Sequence, residues 1–258
     1  MYALIGDIGN TVTKICLVDI NSFKTKNELF FDSKKTFSNI FLKKKFNSIF
    51  KNKKIFRVAL FSSVVLKHEL IIKKFLKKFY KIKLIEINEK NIYKSIKLNI
   101  KNKKQIGSDR IANAVGVFKR YNSDCIVVDF GTATTFDVVT KNGIYHGGVI
   151  APGINLSLKS LVDSADKIPP FSIKKQKKIV GKNTVQALRS GFYWGYIGLI
   201  NNIIFRIEQE TKKKYKIIFT GGYAKLFKTS ITKPFTVDKN ITINGIIEIF
   251  KKNIKNLN

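Results

Sequence analysis

The stretch DIGNTVTK, Asp7 to Lys14, follows an apolar run that starts at Tyr2, and DFGTATTFD, Asp129 to Asp137, follows another that starts at Cys125. Each reads as a strand, an acid, a glycine turn, a threonine and a return strand. One D-x-G turn is ordinary hairpin chemistry, because aspartate bonds its own backbone and glycine turns without steric cost. Two of them at corresponding places in 258 residues indicate a duplicated α/β fold with two facing halves. We place the boundary near residue 118, with one domain over 1–118 and a second over 119–258. The final helix is a candidate to pack back on the first half.

Working outward, Tyr2–Ile8 and Val12–Ile20 form a hairpin about Gly9-Asn10-Thr11. A strand and a helix are expected in 22–54, then a buried strand over Arg57–Ser63. A helix near 66–80 should turn Leu66, Leu70, Ile71, Phe75 and Phe79 inward. Residues 87–106 are rich in Lys and Asn and read as a surface segment. A helix near 109–121 has Asp109 at its start. Strands follow over Cys125–Phe130, Thr134–Val139 and Gly143–Ala151. A helix runs from Pro152-Gly153 to about Ser164, and one long helix or two cover Asn183–Lys212. A strand over Lys216–Thr220, a Gly221-Gly222 turn and a helix over Ile243–Lys252 complete the chain.

Composition sets bounds. At 44% hydrophobic residues the chain can bury a core, which excludes intrinsic disorder. The balance of 49 Lys+Arg against 17 Asp+Glu gives +32, which read alone suggests a polyanion partner. But Lys supplies 44 of the 49, and the arginines are only Arg57, Arg110, Arg120, Arg189 and Arg206. Groove readers and phosphate clamps favour Arg, so the excess reads as a solvated surface and nucleic acid is not expected as a partner. Cys16 and Cys125 have no metal spacing and make no disulfide framework, which suits a reducing cytoplasm. MYALIGDIGN has no signal-peptide pattern, and no apolar stretch reaches the length of a membrane span. With His68 and His146 as the only histidines, a His-rich metal site is excluded.

The two turns carry the chemistry. A glycine turn between strands exposes backbone N–H groups that a phosphate can approach, and an acid at a strand end can hold a cation or its water. Asp7, Gly9, Asn10 and Thr11, with Lys14 just beyond, form one such corner; Asp129, Gly131 and Thr132 form another. Thr220-Gly221-Gly222 offers a third close approach. No G-x-x-x-x-G-K-[ST] loop and no strand-G-x-G-x-x-G-helix unit occurs.

These segments, with GSDR at 107–110, GGVIAPG at 147–153, the NT of 183–184, SG at 190–191 and TGG at 220–222, resemble the type III pantothenate kinases of the acetate and sugar kinase/Hsp70/actin superfamily. The match runs in family order over nearly the whole chain. It implies two ribonuclease-H-like, actin-like ATPase domains, with mixed sheets flanked by helices and ATP in the cleft between them. The reaction implied is phosphoryl transfer from ATP to pantothenate, the first step of coenzyme A synthesis, in the cytoplasm and by a homodimer.

Residue by residue, the resemblance assigns ATP binding to Asp7, Ile8, Gly9, Asn10, Thr11, Val12, Thr13, Lys14 and Thr132. It assigns pantothenate contact to Gly107, Ser108, Asp109, Arg110 and Thr184, with Asp109 as catalytic base. Asp129 would hold a monovalent cation, K⁺ or NH₄⁺, and Asp7 would hold Mg²⁺ directly or through water.

Plainer roles compete. Ser108 or Asp109 could cap its helix, Thr184 could cap the long one, and Arg110 could make a surface ion pair. Asp7 and Asp129 could be turn acids, and Lys14 one more solvated lysine. Asp137 and Asp163 default to turn or capping, and Tyr193, Trp194 and Tyr196 to core or dimer packing. The chain departs from the family pattern at Ile100, where a substrate-contacting tyrosine is usual, and at Asn102-Lys103, where Asn-Pro is usual; Tyr93 is nearby but out of register. Two rival functions follow: a transcription accessory factor, and a superfamily kinase with another acceptor.

Overall fold

Strand β1 (Tyr2–Ile8) pairs antiparallel with β2 (Val12–Asp19), and the Gly9 N–H closes the turn on the Val12 carbonyl at 3.0 Å. The computed structural model describes residues 1–89, 95–165, 167–228 and 230–256, so Tyr93 lies outside the described residues. The chain divides into two units. The first comprises Met1–Asn122, Asn142–Tyr145 and the segment from Asn240 onward; the second comprises Ser123–Lys141 and His146–Lys239.

In the first unit β3 (Thr25–Asp32) adds antiparallel to β2, and a 3-10 turn over Ser33–Phe37 leads to α1 (Asn39–Phe50), capped by Ser38. Strand β4 (Val58–Ser63), helix α2 (Leu66–Tyr80) and β5 (Lys83–Glu86) complete a mixed sheet ordered β3-β2-β1-β4-β5, in which β1, β4 and β5 are parallel. Leu4, Ile8, Leu17, Phe46, Phe61 and Phe75 form the core between this sheet and α1 and α2. The short β6 (Lys97–Leu98) and α3 (Ser108–Arg120) follow.

Two expectations are corrected here. Helix α2 buries Ile72, Phe75 and Leu76 together with His68 and Glu69, while Leu66 and Leu70 are 67% and 43% exposed. The adjacent Ile71-Ile72 pair permits two helical registers, and apolar counting chose the one that keeps His68 and Glu69 outside. Residues 87–106 are not simply surface, since Ile87, Ile96, Leu98 and Ile106 are buried beneath a Lys/Asn-rich exterior. Strand β5 also escaped the sequence reading.

The second unit opens with β7 (Cys125–Phe130) and β8 (Ala133–Thr140) as an antiparallel hairpin. Strand β9 (Ile144–Pro152) begins in the first unit, where Ile144 and Tyr145 pair with β6. Helix α4 (Ile154–Asp163), helix α5 (Thr184–Thr211), β10 (Lys216–Gly221) and β11 (Phe235–Val237) follow. The sheet runs β11-β10-β7-β8-β9, with β10 parallel to β7 and β11 parallel to β10. Helix α5 is continuous through Gly191, Gly195 and Gly198. Its Tyr193, Ile197, Ile200 and Ile204 pack on Ile126, Val128, Phe136 and Phe219. The mixed α/β class, with two mixed sheets flanked by helices, is the one the echoed motifs predict.

The chain then returns to the first unit as α6 (Ile241–Asn253), which packs against α3. The approach is tight: a Cβ on Gly245 would lie 1.8 Å from the Ala112 carbonyl oxygen. The Thr242 hydroxyl bonds Asn113 Oδ1 at 2.7 Å across the same seam.

Candidate active site

The site residues fall into two groups, one in each unit. In the first, Asp7 pairs in register with Lys14 across the hairpin and with Ser62 on β4, so the three share one face of the sheet. Gly9, Asn10 and Thr11 form the tip; Asn10 and Thr11 are exposed, while the Ile8 and Thr13 side chains turn inward. Lys14 Nζ donates to Asn240 Oδ1 at 2.8 Å and lies 3.2 Å from the Glu28 carboxylate.

A buried polar chain supports this tip. The Ser33 hydroxyl donates to the Gly9 carbonyl at 2.7 Å, so the 2.9 Å contact between Thr13 Oγ1 and Ser33 Oγ uses the Thr13 proton. Thr36 Oγ1 donates to the Ser33 carbonyl at 2.7 Å, which leaves His68 Nδ1–H as the donor in its 2.7 Å contact with Thr36 Oγ1. Burial first, then the Lys67 charge, hold the His68 pKa below the ordinary value against a smaller opposing pull from Asp32. The imidazole is therefore neutral with its hydrogen on Nδ1. Ser33, Thr36 and His68 carry no motif, and the sequence reading missed them.

The carboxyl ends of β1 and β4 also position Gly107–Arg110. Ser108 Oγ accepts the Ser63 N–H at 2.8 Å, donates to the Ser63 carbonyl at 3.0 Å and lies 3.3 Å from Ser62 Oγ. The Asp7 hairpin and the start of α3 thus meet at one edge of parallel strands, where open α/β sheets take their ligands. Gly107 is the N-cap and no side chain caps the helix, so neither Ser108 nor Asp109 has that role.

Asp109 Oδ1 accepts the Arg110 N–H at 2.8 Å. Burial nevertheless raises the Asp109 pKa, outweighing the Arg110 amide and guanidinium that lower it. Desolvation makes this carboxyl more basic. The Arg110 guanidinium sits 5.9 Å from the ring centre of Tyr145, a cation–π contact.

In the second unit Asp129 pairs in register with Thr135 and Thr220, and the Gly131 N–H closes its turn on the Ala133 carbonyl at 3.0 Å. The N-terminus of α4 presses on this turn: a Cβ on Gly153 would lie 2.1 Å from the Thr132 carbonyl oxygen. Gly221 has φ +83°, and its Cβ would lie 2.7 Å from Asp129 Oδ1 and 2.6 Å from the Phe130 carbonyl. Only glycine leaves that space open beside the acid.

Asn183, not Thr184, caps α5, since its side chain accepts the Gln186 N–H at 2.9 Å. Thr184 instead lines a groove of about 640 Å³ with Pro152, Ser157, Leu188, Tyr196 and Leu199. Tyr193 and Tyr196 are core residues whose hydroxyls bond Ser230 and the Pro152 carbonyl. Asp137 is fully buried within β8 and accepts the Thr135 hydroxyl at 3.3 Å, which corrects its reading as a turn or cap residue. Ile100 is half-buried, and the adjacent Asn99 N–H bonds the Tyr145 carbonyl at 2.9 Å. Among the described residues no three acids, histidines or cysteines cluster as a metal site, and no helix is long and apolar enough to cross a membrane.

The comparisons with known proteins agree on a family. A relative from Pelagibacter ubique (strain HTCC1062), a type III pantothenate kinase, is 49% identical over 95% of this chain and 96% of its own. Among solved structures, a Campylobacter jejuni protein assigned to the Baf family of transcriptional activators aligns with TM-score 0.61 and 23% identity, over 98% of this chain and 99% of that one. A Sinorhizobium meliloti protein assigned as a 2-dehydro-3-deoxygalactonokinase aligns with TM-score 0.61 and 7% identity, over 97% and 99%. At those identities the two structures speak for the fold alone. The family model described as "Type III pantothenate kinase" matches residues 3–206, and this chain belongs to that family.

Proposed function

We propose that this chain phosphorylates pantothenate with ATP, giving ADP and 4′-phosphopantothenate at the start of coenzyme A synthesis, and that Asp109 is the general base. The supporting observation is the shared strand edge. Register and the Ser62–Ser63–Ser108 contacts bring a glycine-tipped hairpin suited to phosphates beside a desolvated carboxyl. The pantothenate hydroxyl oxygen attacks the γ-phosphorus in line, its proton passes to the Asp109 carboxylate, and the bond to the bridging oxygen of ADP breaks. Phosphoryl transfer asks mainly for positioning and charge neutralisation, so one well-placed base suffices.

The hairpin from Asp7 to Lys14 holds the phosphates through its exposed turn. Gly107, Ser108 and Arg110 hold pantothenate, with Arg110 facing its carboxylate; for Thr132 toward ATP and Thr184 toward pantothenate the support is the family resemblance. The donor set fits Mg²⁺, which takes one or two carboxylates and completes its shell with substrate phosphates and water; Asp7 is the carboxylate for it. Bound there, the ion offsets phosphate charge. The open space that Gly221 leaves beside Asp129 Oδ1 and the Phe130 carbonyl suits a monovalent cation, K⁺ or NH₄⁺. A homodimer is supported by the apolar side chains exposed in the second unit, among them Ile150, Leu156, Ile179 and Val180. The cytoplasm, where ATP and pantothenate meet, is the proposed location.

The test is a coupled ADP assay with pantothenate, sugars and acetate as acceptors. We expect turnover with pantothenate, and a loss of kcat of about 10²–10⁴-fold in Asp109→Asn. Full activity in that variant would remove Asp109 as base; turnover with another acceptor alone would replace the substrate.

A further inference from the structure

At the carboxyl end of β5, beside the strand edge that carries Asp7 and Ser62, Glu86 is buried to 7% exposure. Its Oε2 accepts the Asn88 N–H at 2.7 Å, and its Oε1 has no hydrogen-bond partner. Asn88 Nδ2 in turn donates to the carbonyl of Ile106 at 3.3 Å, one residue before the Gly107–Arg110 turn. On the far side of that turn, Ser63 holds Ser108 through both its N–H and its carbonyl. The turn that presents Asp109 is therefore pinned at two points, from the ends of β4 and β5.

We propose that Glu86 is a positioning residue for Asp109: its carboxyl fixes Asn88, and through Asn88 the Ile106–Gly107 backbone that sets where α3 begins. This rests on the reading of Asp109 as base.

Groups from each packed element face Glu86. Helix α2 supplies Glu69, itself buried and raised in pKa by burial and by Glu86, and Lys73, which is paired with Glu89. The segment after β5 supplies Glu89 and Asn88, β4 supplies Ser63, and α3 supplies Ser108. Burial is the largest influence and raises the Glu86 pKa; Ser108, Asn88 and Ser63 lower it, and Glu89 raises it further.

The experiment compares the full chain with Glu86→Gln, Glu86→Leu, Asn88→Ala and Asp109→Asn, by steady-state kinetics with ATP and pantothenate over about pH 6–9 and by thermal unfolding. Glutamine keeps the shape and the acceptor for Asn88, so Glu86→Gln should retain kcat within about threefold. Leucine removes the acceptor. Glu86→Leu should lose roughly 10–100-fold in kcat with the KM for ATP moved less than about threefold, the scale of a catalytic group displaced by a fraction of an ångström to one ångström.

Parent-like kcat in Glu86→Leu, or a Glu86→Gln as impaired as the leucine variant, would overturn the proposal. If Glu86→Leu does not fold, Asn88→Ala decides: it cuts the link to Ile106 from an exposed position, a fall of about 3–10-fold in kcat supports the proposal, and an unchanged kcat overturns it. A fully active Asp109→Asn would refute the base assignment itself. An inactive Asp109→Asn with a parent-like Glu86→Leu would refute only the role of Glu86.

Discussion

At the tip of β1–β2 a serine hydroxyl grips the Gly9 carbonyl, and a line of side chains, Thr13, Ser33, Thr36 and His68, carries the support to α2. At the tip of β7–β8 the Thr132 carbonyl is confined by the backbone of Gly153, at a distance that admits no side chain there. The two corners repeat the same order of strand, acid, glycine and threonine, yet one is tied by polar groups and the other by bulk exclusion. The difference teaches that a motif specifies what a corner presents to a ligand, while its support is recruited from elsewhere in the chain. The two corners should therefore fail to opposite kinds of substitution.

The largest contrast is expected from adding a methyl group. In Gly153→Ala the new Cβ meets backbone that cannot step aside, and a cost of about 3 kcal/mol is expected in urea unfolding. Gly9→Ala places its Cβ 3.0 Å from the Val12 carbonyl and nothing nearer, so about 1 kcal/mol or less is expected. Equal costs would break the comparison. Removing a hydroxyl should reverse it. Ser33→Ala strips the Gly9 carbonyl and Thr13 of their partner, for about 1–3 kcal/mol, and should raise the KM for ATP several-fold while leaving that for pantothenate near its parent value.

The smallest effect is a pH dependence confined to the first corner. His68 binds its proton less readily folded than unfolded, so its contribution is present above the unfolded pKa, about 6.5, and is lost as pH falls through the lower folded value. Thermal melts of the parent chain should lose stability below about pH 6.5, at no more than roughly 1.4 kcal/mol per pH unit from this group, and His68→Gln should flatten that slope.

Much of the fold was legible because its strands are short apolar runs with turn residues at both ends; Tyr2–Ile8 and Cys125–Phe130 declare themselves this way. The candidate residues at the two tips were legible for the same reason, since acids, glycines and threonines at strand ends stand out against an apolar background. What lay hidden is polar and interior. His68 and Glu69 face inward on α2, against the apolar counting that put Leu66 and Leu70 there. Glu86 ends a four-residue strand too short to show a period. The capping of α5 belongs to Asn183 and not to its neighbour, a choice made by backbone angles that no spacing reveals. Each of these depends on a partner more than ten residues away or on a local φ and ψ, and neither is written in periodicity.

The seam between α3 and α6 bears on how the protein is made. A growing chain releases α3 roughly 120 residues before α6, a delay of about 6–24 s at ordinary rates of synthesis. By the end of that interval the second unit, whose last segment closes at Lys239, has every residue it needs, whereas Ala112, Asn113 and Gly116 of α3 are still without the α6 residues that pack on them. The helix that begins at Ser108 is thus among the last parts to be secured during translation. Until Gly245 settles against Ala112, a nascent chain exposes this face of α3 to chaperones and to other nascent chains.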